Sequence, residues 1–103
     1  MRYRAFALAM LMLAGAAPGA GATGFCPVGK TRDGFVALRA APSATARIIA
    51  RMRPGDEFLP MVDEQGPWVK ATYWRGAERL TRGYGAHRAV GWVHKSLIPD
   101  LCG

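Results

Sequence analysis

Two cysteines, Cys26 and Cys102, constrain this chain more than any other feature, because they stand at opposite ends of everything that follows its first two dozen residues. The opening segment reads as an export signal. Arg2 and Arg4 precede an apolar run from Ala5 to Leu13, and Ala20-Gly21-Ala22 has the small-x-small form that signal peptidase accepts. Gly15, Pro18, Gly19 and Gly21 interrupt the run before the roughly 20 apolar residues that a membrane-spanning helix needs. Cleavage after Ala22 is expected, which removes residues 1–22 and leaves 23–103 as a periplasmic or secreted chain with no transmembrane anchor. In an oxidising compartment thiols persist as pairs, and a Cys26–Cys102 disulfide is predicted. Such a bond closes nearly the whole mature chain into one loop, a constraint of about 4 to 5 kcal/mol on the chain-entropy account. Two free thiols or an intermolecular bond are the alternatives. There is no C-x-x-C spacing to suggest a redox-active pair.

A single domain of about 80 residues buries only about 60 to 65% of the surface its unfolded chain exposes, so an added constraint is expected on size alone. The full chain has 14 Lys and Arg against 7 Asp and Glu. Loss of Arg2 and Arg4 with the signal leaves about +5 on the mature protein. A positive exported domain is drawn to anionic surfaces such as head groups, acidic wall polymers and nucleic acid. The same charge also serves plain solubility.

The mature chain has the periodicity of strands, with turn signals every eight to twelve residues and no sustained helical apolar face. An all-β fold is predicted. Val36 and Leu38 alternate with Ala37 and Arg39 in a first strand that stops at Ala41-Pro42-Ser43. Ile48, Ile49, Ala50 and Met52 form a second, closed by Pro54-Gly55-Asp56, where glycine tolerates positive φ. The third runs from Glu57 to Asp63 with Phe58 and Val62 inward, and Pro60 implies an edge or a bulge because it cannot donate to a ladder. In the fourth, Trp68 to Trp74, Val69, Ala71 and Tyr73 share one face and Trp68, Lys70, Thr72 and Trp74 the other. The fifth is Val90 to His94, with Trp92 and Val93 expected in the core. A 3₁₀ turn and a final strand at Lys95-Ser96-Leu97-Ile98 complete the pattern.

In order and spacing, Val36-Ala37-Leu38-Arg39-Ala40-Ala41-Pro42-Ser43, Arg53-Pro54-Gly55-Asp56, Trp68-Val69-Lys70 and Gly91-Trp92-Val93-His94 resemble the bacterial SH3 (SH3b) domain family. In that family a Ser-Gly pair often stands where this chain has Ala40-Ala41. The resemblance implies a small five-stranded SH3-like barrel over 23–103, held shut by the disulfide. It also implies a non-enzymatic binding module for peptidoglycan, its peptide stems or another cell-envelope polymer. Trp68 sits at a position similar to the groove tryptophan of the eukaryotic relatives. The positions that carry Pro, Asn and Tyr in their proline-binding groove look like His94, Ser96 and Leu97 here, so proline-rich ligands are not expected.

Residues 75–89 depart from the pattern. Arg75, Arg79, Arg82 and Arg88 cluster there with Tyr84 and His87, with Glu78 alone to offset them, in a segment far longer than the usual two to five residues of a hairpin. One reading is a mobile arm whose guanidiniums grip phosphate or carboxylate while Trp74 and Tyr84 offer stacking faces. The other is an insertion that extends the hairpin or stays disordered. The candidate ligand residues are accordingly Trp68, Trp74, Arg79, Arg82, Tyr84 and Arg88. A partner protein that docks on the barrel edge or the arm is the alternative ligand. Catalysis is not expected. The thiols are tied up, Asp56 and Glu57 alternate in side-chain direction, Ser43 and Ser96 lack a nucleophile motif, and His87 and His94 have no metal-ligand spacing. No cofactor, metal or specific nucleic-acid partner is implied.

Overall fold

The computed structural model describes residues 24–100 and 102, so the export signal expected in 1–22 lies outside them. The fold is all-β. Six strands, β1 (Cys26–Pro27), β2 (Val36–Arg39), β3 (Ile48–Met52), β4 (Glu57–Gln65), β5 (Trp68–Trp74) and β6 (Ala89–His94), form one antiparallel sheet in the order β1-β4-β5-β6-β2-β3. A short helix, α1 (Glu78–Arg82), and two 3₁₀ turns, Tyr84–Ala86 and Lys95–Leu97, complete it. The Cys26–Cys102 disulfide is present, with the two Cα atoms 5.5 Å apart. Such a bond belongs to an oxidising, non-cytoplasmic setting. No helix among the described residues is long and apolar enough to cross a membrane.

Period-two alternation builds the core. Val36 and Leu38 on β2, Val69, Ala71 and Tyr73 on β5, and Val93 on β6 are buried and pack with Cys26, Val28, Met52 and Phe58. At the β3–β4 turn the Asp56 N–H donates to the Arg53 carbonyl at 2.9 Å, and Gly55 takes φ +103°. Pro54 before it supplies the fixed φ of the first turn position.

Gly91 shows how closely β6 approaches its neighbours. A Cβ there would lie 2.6 Å from the Arg39 carbonyl oxygen, 2.8 Å from Ile49 Cδ1 and 2.9 Å from Leu38 Cγ. Since one of these contacts is backbone, Gly91→Ala should destabilise by about 2 kcal/mol and lower Tm by about 10 °C. Thermal unfolding followed by circular dichroism checks this, and an unchanged Tm would show that β2 and β6 can separate freely at that point.

Several expectations are corrected. Among the described residues the sheet has six strands rather than five, and its pairing is linear, with β1 and β3 as its two edges and no ladder there joining them into a closed barrel. The sixth strand, β1, is too short to give a periodic signal, and only its pairing of Cys26 with Phe58 and Pro27 with Glu57 makes it a strand. No further strand follows the Lys95–Leu97 turn among the described residues.

Val62 is not inward but 91% exposed. Between the Pro60–Ala71 and Glu64–Val69 pairs, β4 carries three residues where β5 carries one, and the bulge turns Val62 out. Pro60 stands at the start of that bulge, as its missing N–H suggested. Trp92 is only half-buried while Val93 is fully buried, as strict alternation along one strand requires. Trp74 breaks that alternation. It is 2% exposed despite sharing the outward parity of Trp68 and Lys70, because the segment after β5 folds over it.

Candidate binding cleft

The segment between β5 and β6 is ordered by contacts that its own composition does not reveal. Arg79 forms a bidentate pair with Glu57 of β4, Nε at 3.1 and 3.2 Å and Nη2 at 3.0 Å, and its guanidinium carbon lies 3.7 Å from the centre of the Phe25 ring. Phe25 in turn stacks on Tyr84 with centroids 5.7 Å apart and meets Trp74 edge-on at 5.7 Å. The Trp74 indole N–H donates to the Tyr84 carbonyl at 3.0 Å. Arg88 donates through Nε and Nη2 to Glu78 at 2.9 and 2.8 Å. The hydrogen bonds from Arg88, followed by its charge, hold the Glu78 carboxyl below its ordinary value. The arm is therefore neither an extended hairpin nor an unstructured loop.

Asp56 anchors the base of this arm. One carboxylate oxygen accepts the Arg53 N–H and the Tyr73 hydroxyl, each at 2.9 Å, and the other accepts the Gly76 N–H at 2.8 Å. Burial first, and then the Asp56 hydrogen bond, raise the Tyr73 phenol above its ordinary value. The turn before β4, the middle of the core and the start of the arm thus share one side chain.

These contacts divide the six predicted ligand residues. Trp74, Arg79, Tyr84 and Arg88 hold one another and the arm in place, with Tyr84 still 62% exposed and Arg82 exposed at the end of α1. Trp68 lies at the other end of β5, six residues and so about 20 Å away, and does not join them.

At Trp68 a different set converges. Its ring meets that of His94 edge-on at 5.1 Å, across the Trp68–His94 register pair of β5 and β6. Nδ1 of His94 accepts the Ser96 N–H at 3.2 Å and lies 2.8 Å from Ser96 Oγ, which fixes the 3₁₀ turn in front of the ring. Opposite, Arg39 Nη1 donates to the Ala46 carbonyl at 2.8 Å and holds the 40–47 loop against β2. Between them lies a cleft of about 270 Å³ lined by Ala37, Arg39, Ala44, Trp68, His94, Ser96 and Leu97.

A groove with one indole, one imidazole, a guanidinium and an apolar floor can take a short chain bearing a carboxylate and small side chains. Of the residues lining this cleft, Trp68 alone is among the ligand residues expected from the sequence; His94, Ser96 and Leu97 stand at the positions of a proline groove whose own chemistry is lacking. Sequence reasoning missed Arg39 and Ala44, whose place depends on how the 40–47 loop returns. The same alternation sets Lys70 on the outer face beside Trp68 as expected, but Trp92, expected in the core, lies on that face too, as the parity of Val93 requires.

Among the described residues no three His, Cys, Asp or Glu side chains gather as a metal site. Compared with known proteins, the chain matches no family model, no curated protein and no solved structure.

Proposed function

We propose that this chain is an exported, non-enzymatic binding module of the SH3b type, periplasmic or secreted, that takes a peptide element of the cell envelope such as a peptidoglycan stem in the cleft beside Trp68. The observation that carries the reading is the convergence of three separate segments, the 40–47 loop, the start of β5 and the 94–97 turn, on that one cleft. Residues 40–43, 68–70 and His94 in these segments belong to the stretches in which the sequence resembles SH3b domains. Stem peptides end in carboxylates and carry small side chains, which suits Arg39 and the Ala37, Ala44 and Leu97 surfaces.

Titration of the isotopically labelled protein with a muropeptide tests this. Amide shifts should concentrate at 37–39, 44, 68 and 94–97, and Trp68→Ala should weaken binding by about 30-fold, the usual cost of losing a central tryptophan anchor. Absence of shifts, or shifts confined to 75–89, would remove the cleft from the account. A second reading, docking on a partner protein, draws on Met61 and Val62, which are 42% and 91% exposed at the β4 bulge. Val62→Lys would abolish that docking while sparing the muropeptide response.

A further inference from the structure

Beyond the cleft, the outer face of the sheet carries Lys70, Trp92 and Arg51, which neither the core nor the cleft accounts for. Burial of Val36, Leu38, Val69 and Val93 turns their strand neighbours outward, and register then places those neighbours side by side. Trp92 pairs with Lys70 on one side and with Arg39 on the other, so the three form a row roughly 10 Å wide across β5, β6 and β2. Two residues along lie Trp68 and His94, and Arg51 of β3 stands outward opposite Ala37. The Lys70 ammonium lies 5.8 Å from the centre of the Trp92 ring.

Charge on this face has one sign. All seven acidic residues of the chain lie outside β2, β3, β5 and β6. Three of them, Glu57, Glu64 and Glu78, are occupied in ion pairs with other cations. Arg39, Arg51 and Lys70 have no carboxylate partner among the described residues. A face used only for solubility has no need to place indoles between its cations. Trp92 and Trp68, which are partly exposed, leave some apolar ring surface in water at a cost that a stacked ring relieves.

We infer that this face binds an acidic polysaccharide, with Trp92 stacking on a sugar ring and Lys70 and Arg39 meeting its carboxylates or phosphates. The inference rests on the binding-module reading and adds a second ligand class on a surface that runs beyond the cleft. Stacking planes between cations also suit single-stranded nucleic acid. The disulfide favours the glycan, because it belongs to a compartment where acidic polysaccharides rather than nucleic acids are the resident polyanions.

Lys70→Glu is the decisive variant, since Lys70 makes no ion pair among the described residues and its exchange leaves the core intact. An unchanged Tm verifies the fold, and Trp92→Leu serves as a second variant that keeps an apolar side chain. Oligogalacturonate should shift the Trp92 indole resonance. Its binding should fall about tenfold or more in each variant, and likewise in the parent protein between about 50 and about 200 mM salt. A neutral cello-oligosaccharide should bind far more weakly. Equal affinity of Lys70→Glu for oligogalacturonate, or equal binding of the neutral oligosaccharide, overturns the inference. Tighter binding of oligodeoxythymidylate overturns it in favour of nucleic acid. Muropeptide binding that survives Lys70→Glu keeps the two sites separate. Its loss together with oligogalacturonate binding overturns the assignment of this face as a surface of its own, whereas failure of muropeptide alone removes only the cleft.

Discussion

Replacing Cys26 and Cys102 together by alanine is expected to lower the unfolding free energy by about 4 kcal/mol, the largest effect of any substitution considered for this chain. The loop that the bond closes spans 76 positions, so the unfolded chain gains most of its conformational freedom when the bond is absent. The folded state loses a local support as well. Cys26 is fully buried in β1, a strand of two residues held to β4 at only Phe58 and Glu57, and an edge strand that short cannot stand by itself.

Phe25 precedes it and carries the stack on Arg79, Tyr84 and Trp74. Loss of the bond therefore loosens the arm before the sheet melts. Urea titrations under reducing and non-reducing conditions measure the first effect. Hydrogen exchange at 78–88 measures the second. A reduced protein whose midpoint moves by less than the equivalent of about 1 kcal/mol would falsify the staple as the main support of a domain this small.

Asp56→Ala comes next, at about 3 kcal/mol. Three donors lose a charged acceptor at once, and hydrogen bonds to a charged group contribute about 1.5 to 3 kcal/mol each, with incomplete additivity when water can enter. The substitution frees the Arg53–Asp56 turn, the Tyr73 hydroxyl inside the core and the Gly76 amide that starts the arm. Asp56→Asn should recover part of the loss, since its amide oxygen can accept while its amino group cannot.

The pH dependence follows from Tyr73. Its phenol is raised in the fold by burial and then by the Asp56 carboxylate, so the folded state keeps that proton longer than the unfolded chain does. The associated stability is complete below about pH 10 and is lost as pH rises through the higher folded value. Removal of the carboxylate in Asp56→Ala should move the tyrosinate absorbance transition of Tyr73 back toward pH 10. A transition that stays in place would mean that burial alone sets it.

Parity carried a good deal. Val36 and Leu38, Val69 with Ala71 and Tyr73, and the strand bounds of Trp68–Trp74 could all be read from period two, because each of those strands has one face in the core and one in water. The same rule puts Trp92 outside, whereas Trp92 and Val93 are both expected in the core from the sequence, a pairing that neighbours on one strand cannot meet. Pro60 announced an interruption in β4, but the extra residues that expel Val62 leave no mark in composition. The arm was the least legible part. Its arginines read as free cations because Glu57 lies 22 positions before Arg79, and nothing local says that the two meet.

What the chain determined without reference to its fold was the all-β class, the pairing of its only two cysteines and the excess of positive charge, since each follows from local alternation, from counting or from compartment. Tertiary structure alone decided that β4 returns Glu57 beneath the arm, that Trp74 is covered rather than offered, and that Trp68 shares its cleft with Arg39 and His94. These depend on contacts between residues far apart in sequence, and such contacts are chosen by how the whole sheet curls around its core rather than by any short stretch of it.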